Sequence, residues 1–546
     1  MGQTENSIQS FDDLMELVGK NGTFQKRFNL IFNFALVVCI SMANINIVIA
    51  MSVPDHWCKV PGQNLTNYTK EEWRRVNIPI SEINGRTKTI YHKCSMYGYN
   101  VSNQDSKDLK YFSNITDCRY GWEYDKTWFQ ETIPSSENWV CSESLKVSNT
   151  FAVMRIADVL GTFICGQLGD VIGRKPIFVV SVLLVVIGNL VFTVTSTYYP
   201  LFLVAAFTAG FTSYTAYQAP LVIGMEISRE KDKAYIAMLQ NVGRTVGLCI
   251  LPPFMWLIGH WKPFMVMSSL PCLLFFIPYR YIIESPRWLM SKGKSTKSLK
   301  AIKTIAKING STIPEDAAYI LRSTPATKET TYGAMSLFSS WRMAKNTTCL
   351  VICWVVSFTT YLIMTLNISN VEGNPFLNFV YQGAIELPAI VLGRHFSDRI
   401  GRKLTNVGSF IATVLGCIPI LFIVKGSSSE WILITCVVFL KFAIMLSYYV
   451  VGLQSVEMYP TCLRQTGIAV GGLSASALAT LAPYVVHLGT SVDERYPYII
   501  IAGLGALGSV CGLLLPETRH NSPDTLEEAK SFGKYKKSFE ISVTSK

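Results

Sequence analysis

Charge is scarce in this chain. Only 16% of its 546 residues are Asp, Glu, Lys or Arg, whereas 49% are hydrophobic and the mean hydropathy is +0.29. That balance excludes a soluble globular chain of this length. Histidine is scarcer still, with six in all, and no His-Glu-x-x-His pattern occurs. Gly293-Lys294-Ser295 ends like a phosphate loop, but Trp288 stands where that loop needs glycine, and no strand precedes it. ATP is therefore not the driver the residues suggest, and no catalytic constellation, metal site or cofactor motif is present in the sequence. The start Met1-Gly2-Gln3-Thr4-Glu5-Asn6 lacks the Ser or Thr of a myristoylation signal. No cleavable signal peptide is evident: polar, mixed-charge residues 1–26 precede the first apolar run, which is expected to stay.

Long apolar runs are what the chain has instead. Stretches long enough to span about 30 Å of hydrocarbon lie near 28–52, 147–167, 176–195, 198–222, 234–258 and 263–283. A second set lies near 347–367, 374–393, 405–424, 430–455, 465–488 and 495–515, so the pattern is six plus six. The run starting at 374 is the most polar of them. One charged signature also occurs twice: Asp170-Val-Ile-Gly173-Arg174-Lys175 returns as Asp398-Arg-Ile-Gly401-Arg402-Lys403, each copy between two apolar runs. Two homologous halves around a central site are the architecture of secondary transporters.

Charge and cysteine sort by compartment. Residues 284–345 hold eleven Lys/Arg against four Asp/Glu, and both signature turns are basic, which predicts a cytoplasmic side. The net charge of +12 is thus mostly topological and does not argue for nucleic acid. Residues 53–147 carry twelve basic and twelve acidic side chains, with Asn-x-Ser/Thr sequons at Asn64, Asn67, Asn100 and Asn114. This is the composition of a glycosylated exterior domain. Ten of the fourteen cysteines lie in or beside apolar runs and read as packing residues. The other four, Cys58, Cys94, Cys118 and Cys141, share the exterior segment and imply two disulfides, with three pairings open.

Several motifs then narrow the family. Pro54-Asp55-His56-Trp57-Cys58, Cys118-Arg-Tyr-Gly121-Trp122-Glu-Tyr124-Asp125 and Glu137-Asn-Trp139-Val-Cys141 follow the first span, and Gly166-Gln-Leu-Gly-Asp170 leads into the first signature. Glu284-Ser-Pro286-Arg287-Trp288-Leu289, Glu457-Met-Tyr459-Pro460-Thr461 with Arg464, and Pro516-Glu517-Thr518 come later. In this order the chain resembles the organic cation/anion/zwitterion transporters, solute carrier family 22 of the major facilitator superfamily. The resemblance implies an all-α membrane protein with twelve transmembrane helices in two six-helix halves and a disulfide-bonded extracellular domain between the first two. It also implies pairing of Cys58 with Cys118 and of Cys94 with Cys141. Mammalian cation-transporting members often have six exterior cysteines where this chain has four.

The expected layout is a cytoplasmic segment 1–26, an N-terminal half 27–283 containing the exterior domain 53–147, and a cytoplasmic loop 284–345. A C-terminal half 346–515 and a cytoplasmic tail 516–546 complete it. Glycines 166, 169 and 173 are read as letting helices approach closely. Asp170 is expected to face a helix N-terminus or an Arg of the opposite half, with Asp398 as its counterpart. Arg174, Lys175, Arg402 and Lys403 are expected to pair with Glu226, Glu284 and Glu457, with Arg464 nearby, as a gate that closes in one state and opens in the other.

Charges inside spans are costly and usually functional. Arg155, Asp158, Arg244, Glu386 and Lys441 fall there, with His487 near an exterior end. The resemblance places spans two, five, eight and eleven between the halves, so that Arg155, Asp158 and Arg244 face Glu386. Arg155 and Asp158, three apart on one helix face, can also neutralise each other. Trp354 and Tyr361, two turns apart on span seven, and Tyr217 on span four look like the family's aromatic wall, suited to amines. In cation-selective relatives the span-eleven position seven residues before a Pro is acidic, and in anion-selective ones it is Arg. Counting back from Pro483 gives Ser476, which is neutral. The expected function is alternating-access transport of a small organic solute at the plasma membrane, a zwitterion or cation of carnitine-like, β-amino-acid-like or amine type. The coupling ion, H+ or Na+, is left open. A sugar-porter-like facilitator and a non-transporting substrate sensor are the alternatives.

Overall fold

The computed structural model describes residues 22–62, 68–81, 90–97, 115–228, 232–278, 281–313, 334–423 and 430–519, with Leu14, Val18 and Glu528. The apolar runs are helical, because in hydrocarbon only a helix satisfies every backbone N–H and C=O within one segment. Ten helices among the described residues are long and apolar enough to cross a membrane. The other two expected spans are interrupted. Span six is the shorter Trp261–Phe276, whose last stretch, Leu270–Phe276, is a 3-10 helix. Span four is split at Thr212 into Tyr199–Phe211 and Ser213–Glu226.

Two further breaks have a proline behind them. Span eight runs as Pro375–Ala384 and then Glu386–Ile400, and span eleven as Thr461–Ala479 and then Ala482–Ser491. Pro388 has no N–H to offer the carbonyl of Ala384, and Pro483 none for that of Ala479. Each first half-helix therefore ends four residues before its proline.

The six-plus-six repeat is visible in the packing. In the N-terminal half span two packs on four, three on four, one on five, and six on both one and three. The C-terminal half repeats each pairing: eight on ten, nine on ten, seven on eleven, and twelve on both seven and nine. Spans five and eight, and spans two and eleven, join the halves. Close backbone approach occurs at Gly161 of span two, where a Cβ would lie 1.5 Å from the carbonyl oxygen of Phe211.

Among the described residues, the segment between spans one and two holds three short antiparallel strand pairs, one of them His56–Cys58 against Trp122–Tyr124. Strand pairs of two or three residues each bury little apolar surface by themselves. Disulfides joining Cys58 to Cys118 and Cys94 to Cys141 supply the difference, with Cα separations of 5.0 and 5.6 Å. Of the three open pairings, the one that the resemblance implied contains these two bridges. Burial beside Tyr124 holds the His56 imidazole below the usual histidine range. The sequons at Asn64, Asn67, Asn100 and Asn114 lie outside the described residues. Non-reducing peptide mapping is expected to return these two cystine peptides, and a peptide joining Cys58 to Cys94 would overturn the arrangement.

Candidate functional site

Glu386 opens the second half-helix of span eight, so its carboxylate sits in the first turn, where unsatisfied N–H groups favour negative charge. Its side chain is 1% exposed. From the opposite half, Arg244 of span five (Lys233–Ile258) brings Nη2 to 2.9 Å from Glu386 Oε2. Lys441 of span ten (Glu430–Met458), 2% exposed, brings Nζ to 3.8 Å from Oε1 and donates to Thr365 Oγ1 at 2.9 Å. The Tyr361 hydroxyl stands between them: it accepts from Arg244 Nη1 at 3.1 Å and donates to Glu386 Oε1 at 3.0 Å. Lys441 Nζ also lies 3.7 Å from the Tyr361 ring centroid. Two cations thus share one carboxylate at the seam of the two halves, and the cluster carries one excess positive charge.

Aromatic rings continue the wall. Tyr361 stacks on Tyr448 with centroids 6.0 Å apart, and Tyr448 meets Trp354 edge-on at 5.6 Å. Trp354 Nε1 is fixed by Ser455 Oγ at 2.6 Å. Trp354 and Tyr361 were expected on one face, but the ring that joins them, Tyr448, was missed. Its signal was its place seven residues after Lys441, two turns along the same helix face. Thr365, four residues after Tyr361, was missed likewise.

The other cavity candidates have partners of their own. Arg155 Nη1 lies 3.6 Å from Asp158 Oδ2, so the two neutralise each other on span two, while Asp158 Oδ1 is buried with no hydrogen-bond partner among the described residues. Tyr217 donates to Ser41 Oγ of span one at 3.3 Å. Ser476 is half-buried on span eleven, its carbonyl accepting from Thr480.

The two signature turns are one device built twice. Gly173 and Gly401 have φ of 128° and 105°. Glu284 accepts from the backbone N–H groups of Arg174 at 2.9 Å and Lys175 at 3.3 Å, capping span three. Glu517 does the same for Arg402 at 2.8 Å and Lys403 at 3.1 Å, capping span nine. Side chains then close the turn: Arg174 pairs with Asp170 and, at 3.4 Å, with Glu226. Arg402 pairs with Asp398 at 3.2 Å and with Glu457 at 3.0 Å. Three expectations are corrected here. Asp170 meets the arginine of its own half, since both sit on one turn four residues apart. Glu284 binds backbone N–H groups rather than a basic side chain, because glycine leaves room for its carboxylate. Gly166 and Gly169 face open space, with nothing within 4 Å of a Cβ built there. Arg464, in the first turn of span eleven, buries an Nε with no partner among the described residues. Sequence reasoning assigns Glu517 no role, although its offset from Arg402 is close to that of Glu284 from Arg174.

Contacts on the side of the disulfide-bonded domain hold the halves together there. Ser148 Oγ donates to the Pro483 carbonyl at 3.2 Å and Tyr484 to Asn149 Oδ1 at 2.9 Å. Phe376 of span eight stacks on Trp256 of span five at 5.9 Å and packs on Phe129 at 4.9 Å.

The pattern of the sugar (and other) transporter family matches residues 83–529. The β-alanine transporter of Drosophila melanogaster is 27% identical over 95% of this chain and 89% of its own length. The organic cation/carnitine transporter 2 of Homo sapiens is 26% identical over 95% and 94%, and solute carrier family 22 member 21 of Mus musculus 27% over 96% and 94%. The xylose transporter XylE of E. coli, in its inward-open conformation, superposes with a TM-score of 0.56 at 16% identity, over 71% of this chain and 90% of that one. The chain belongs to the sugar (and other) transporter family, in the solute carrier 22 branch of the major facilitator superfamily, and is a secondary transporter of small organic solutes rather than an enzyme.

Proposed function

We propose that the chain carries small zwitterions, molecules with an amine and a carboxylate a few bonds apart, across the plasma membrane, with both termini cytoplasmic. The carrying observation is the charge count of the buried bridge: Arg244 and Lys441 against Glu386 alone. An excess cation in a low-dielectric cavity repels a bare cation and invites a carboxylate. A substrate carboxylate competes for Arg244, and its amine takes the place vacated at Glu386, beside the Tyr361, Tyr448 and Trp354 rings. Binding therefore loosens the contact between spans five and eight and couples occupancy to movement of the halves. Ser476 fits this reading, since no acid stands at the position that is acidic in cation-selective relatives. Two relatives are a β-alanine transporter and an organic cation/carnitine transporter, and β-alanine and carnitine are both zwitterions.

Arg244→Gln tests it. Loss of one charge-assisted hydrogen bond is worth about 1.5–3 kcal/mol, so zwitterion uptake is expected to fall about tenfold or more. Uptake of a plain quaternary amine should hold or rise. If quaternary amines already enter the wild type well and the variant changes nothing, the substrate is a cation.

The signature turns are read as the cytoplasmic gate, with their ion pairs breaking and re-forming as the halves move. Asp170→Ala or Arg174→Ala should then leave surface abundance near wild type while uptake drops severalfold. An equal fall in both quantities would make the turn a folding element only.

A further inference from the structure

Beside Glu386, the same pocket holds an amide oxygen with no hydrogen-bond partner among the described residues. Gln382 lies four residues before Glu386, one turn earlier across the helix break, and both side chains are 1% exposed. They line a small pocket with Leu248, Phe379, Thr365 and Lys441. Gln382 Oε1 accepts no hydrogen bond from any described residue. Glu386 Oε2 faces Arg244 Nη2 at 2.9 Å, an ion pair that a substrate ammonium can replace. Buried acceptors are nearly always paired, and one left bare carries the full cost of its lost water. A bare amide oxygen and an ion-paired carboxylate, a helical turn apart on one wall, describe a receptor for a group with several N–H donors.

We infer that Gln382 is a specificity-determining residue that, with Glu386, receives the N–H groups of a primary or secondary ammonium, so that the transporter favours β-amino-acid-like substrates over quaternary ones. This rests on the zwitterion reading and narrows it. A trimethylammonium group has no N–H. It keeps the Coulomb attraction to Glu386 but leaves Gln382 Oε1 dry. A site built to hydrogen-bond a donor rejects the analogue lacking it far more strongly than a size difference would. Phe379 and Leu248 offer methyl groups no compensating acceptor.

The test uses the full chain expressed at the cell surface and two matched pairs of compounds. One pair is β-alanine and its N-trimethyl betaine; the other, without a carboxylate, is ethylamine and tetramethylammonium. In the wild type β-alanine is expected to exceed its betaine in kcat/KM by about tenfold or more. Gln382→Leu, which keeps the volume and leaves no bare acceptor, should bring that ratio to within about twofold through slower β-alanine uptake, with betaine uptake held or raised. Gln382→Glu should restore the preference for N–H donors. Surface abundance, read by an epitope, should match wild type in both variants. An unchanged ratio in Gln382→Leu, or equal wild-type uptake of β-alanine and its betaine, overturns the role of Gln382 while leaving the zwitterion reading intact. Ethylamine taken up as well as β-alanine, with tetramethylammonium rejected, overturns the zwitterion reading and keeps the Gln382 assignment. Uptake of none of the four overturns both.

Discussion

Glu386→Gln is expected to lower uptake by two orders of magnitude or more. The neutral amide leaves Arg244 and Lys441 facing each other across the seam with no countercharge. Breaking a buried ion pair by removing one partner typically costs about 3–5 kcal/mol, because the remaining charge is stranded. Part of that loss should appear as lower surface abundance, since the Lys441 side chain is only 2% exposed. The double variant Glu386→Gln, Lys441→Met separates the two effects. With one cation removed, abundance should recover while uptake does not, because the substrate's amine still lacks its carboxylate. Recovery of both would mean that Glu386 serves only to neutralise Lys441. Near-normal uptake by Glu386→Gln alone would place the site elsewhere.

The second large effect is expected at Gly401. A Cβ there would lie 2.6 Å from Glu517 Oε2, and the backbone φ of 105° strains any residue with a side chain. Gly401→Ala therefore displaces the carboxylate that caps span nine and strips the N–H groups of Arg402 and Lys403 of their acceptor. The combined cost is on the order of 2–4 kcal/mol, so surface abundance and uptake should fall together, severalfold or more. Gly173→Ala should behave alike, since a Cβ there lies 2.3 Å from Glu284 Oε2. This is the opposite signature to that of Asp170→Ala, whose side chain is exposed. Retained abundance in Gly401→Ala would show that the cap is dispensable for folding.

Much of this was legible in the sequence. Run length and hydropathy gave the spans because a bilayer demands roughly 20 apolar residues wherever a helix crosses it. The duplicated signature announced the repeat that the packing reproduces. Glu386, Arg244 and Lys441 could be named because charge inside an apolar run stands out against its background, and Tyr361 because it lies two turns from Trp354 on one face. Partners were harder. Depth in the membrane follows from position along a span, but the direction a side chain faces follows from packing between elements hundreds of residues apart. Glu226, Glu284 and Glu457 were thus placed at the right level, whereas Glu284 was given the wrong kind of donor. Gly161 was passed over in favour of Gly166 and Gly169, which carry the motif but not the contact. Tyr448, Thr365 and Gln382 are uncharged or ordinary within a span, and only their convergence on one pocket marks them.

The signature turns have a consequence for how the molecule is assembled. Arg174 finds Asp170, Glu226 and the Glu284-capped turn without leaving residues 170–284, and Arg402 finds Asp398, Glu457 and the Glu517-capped turn within 398–517. Each six-helix module can therefore complete these connections before it meets the other, the first while the second is still being synthesised. What the late docking step must still form is the Arg244 contact, the seal around Phe376 and the Ser148 and Tyr484 hydrogen bonds between spans two and eleven. A lesion in one turn then remains the problem of one module, and the docked pair stays free to slide.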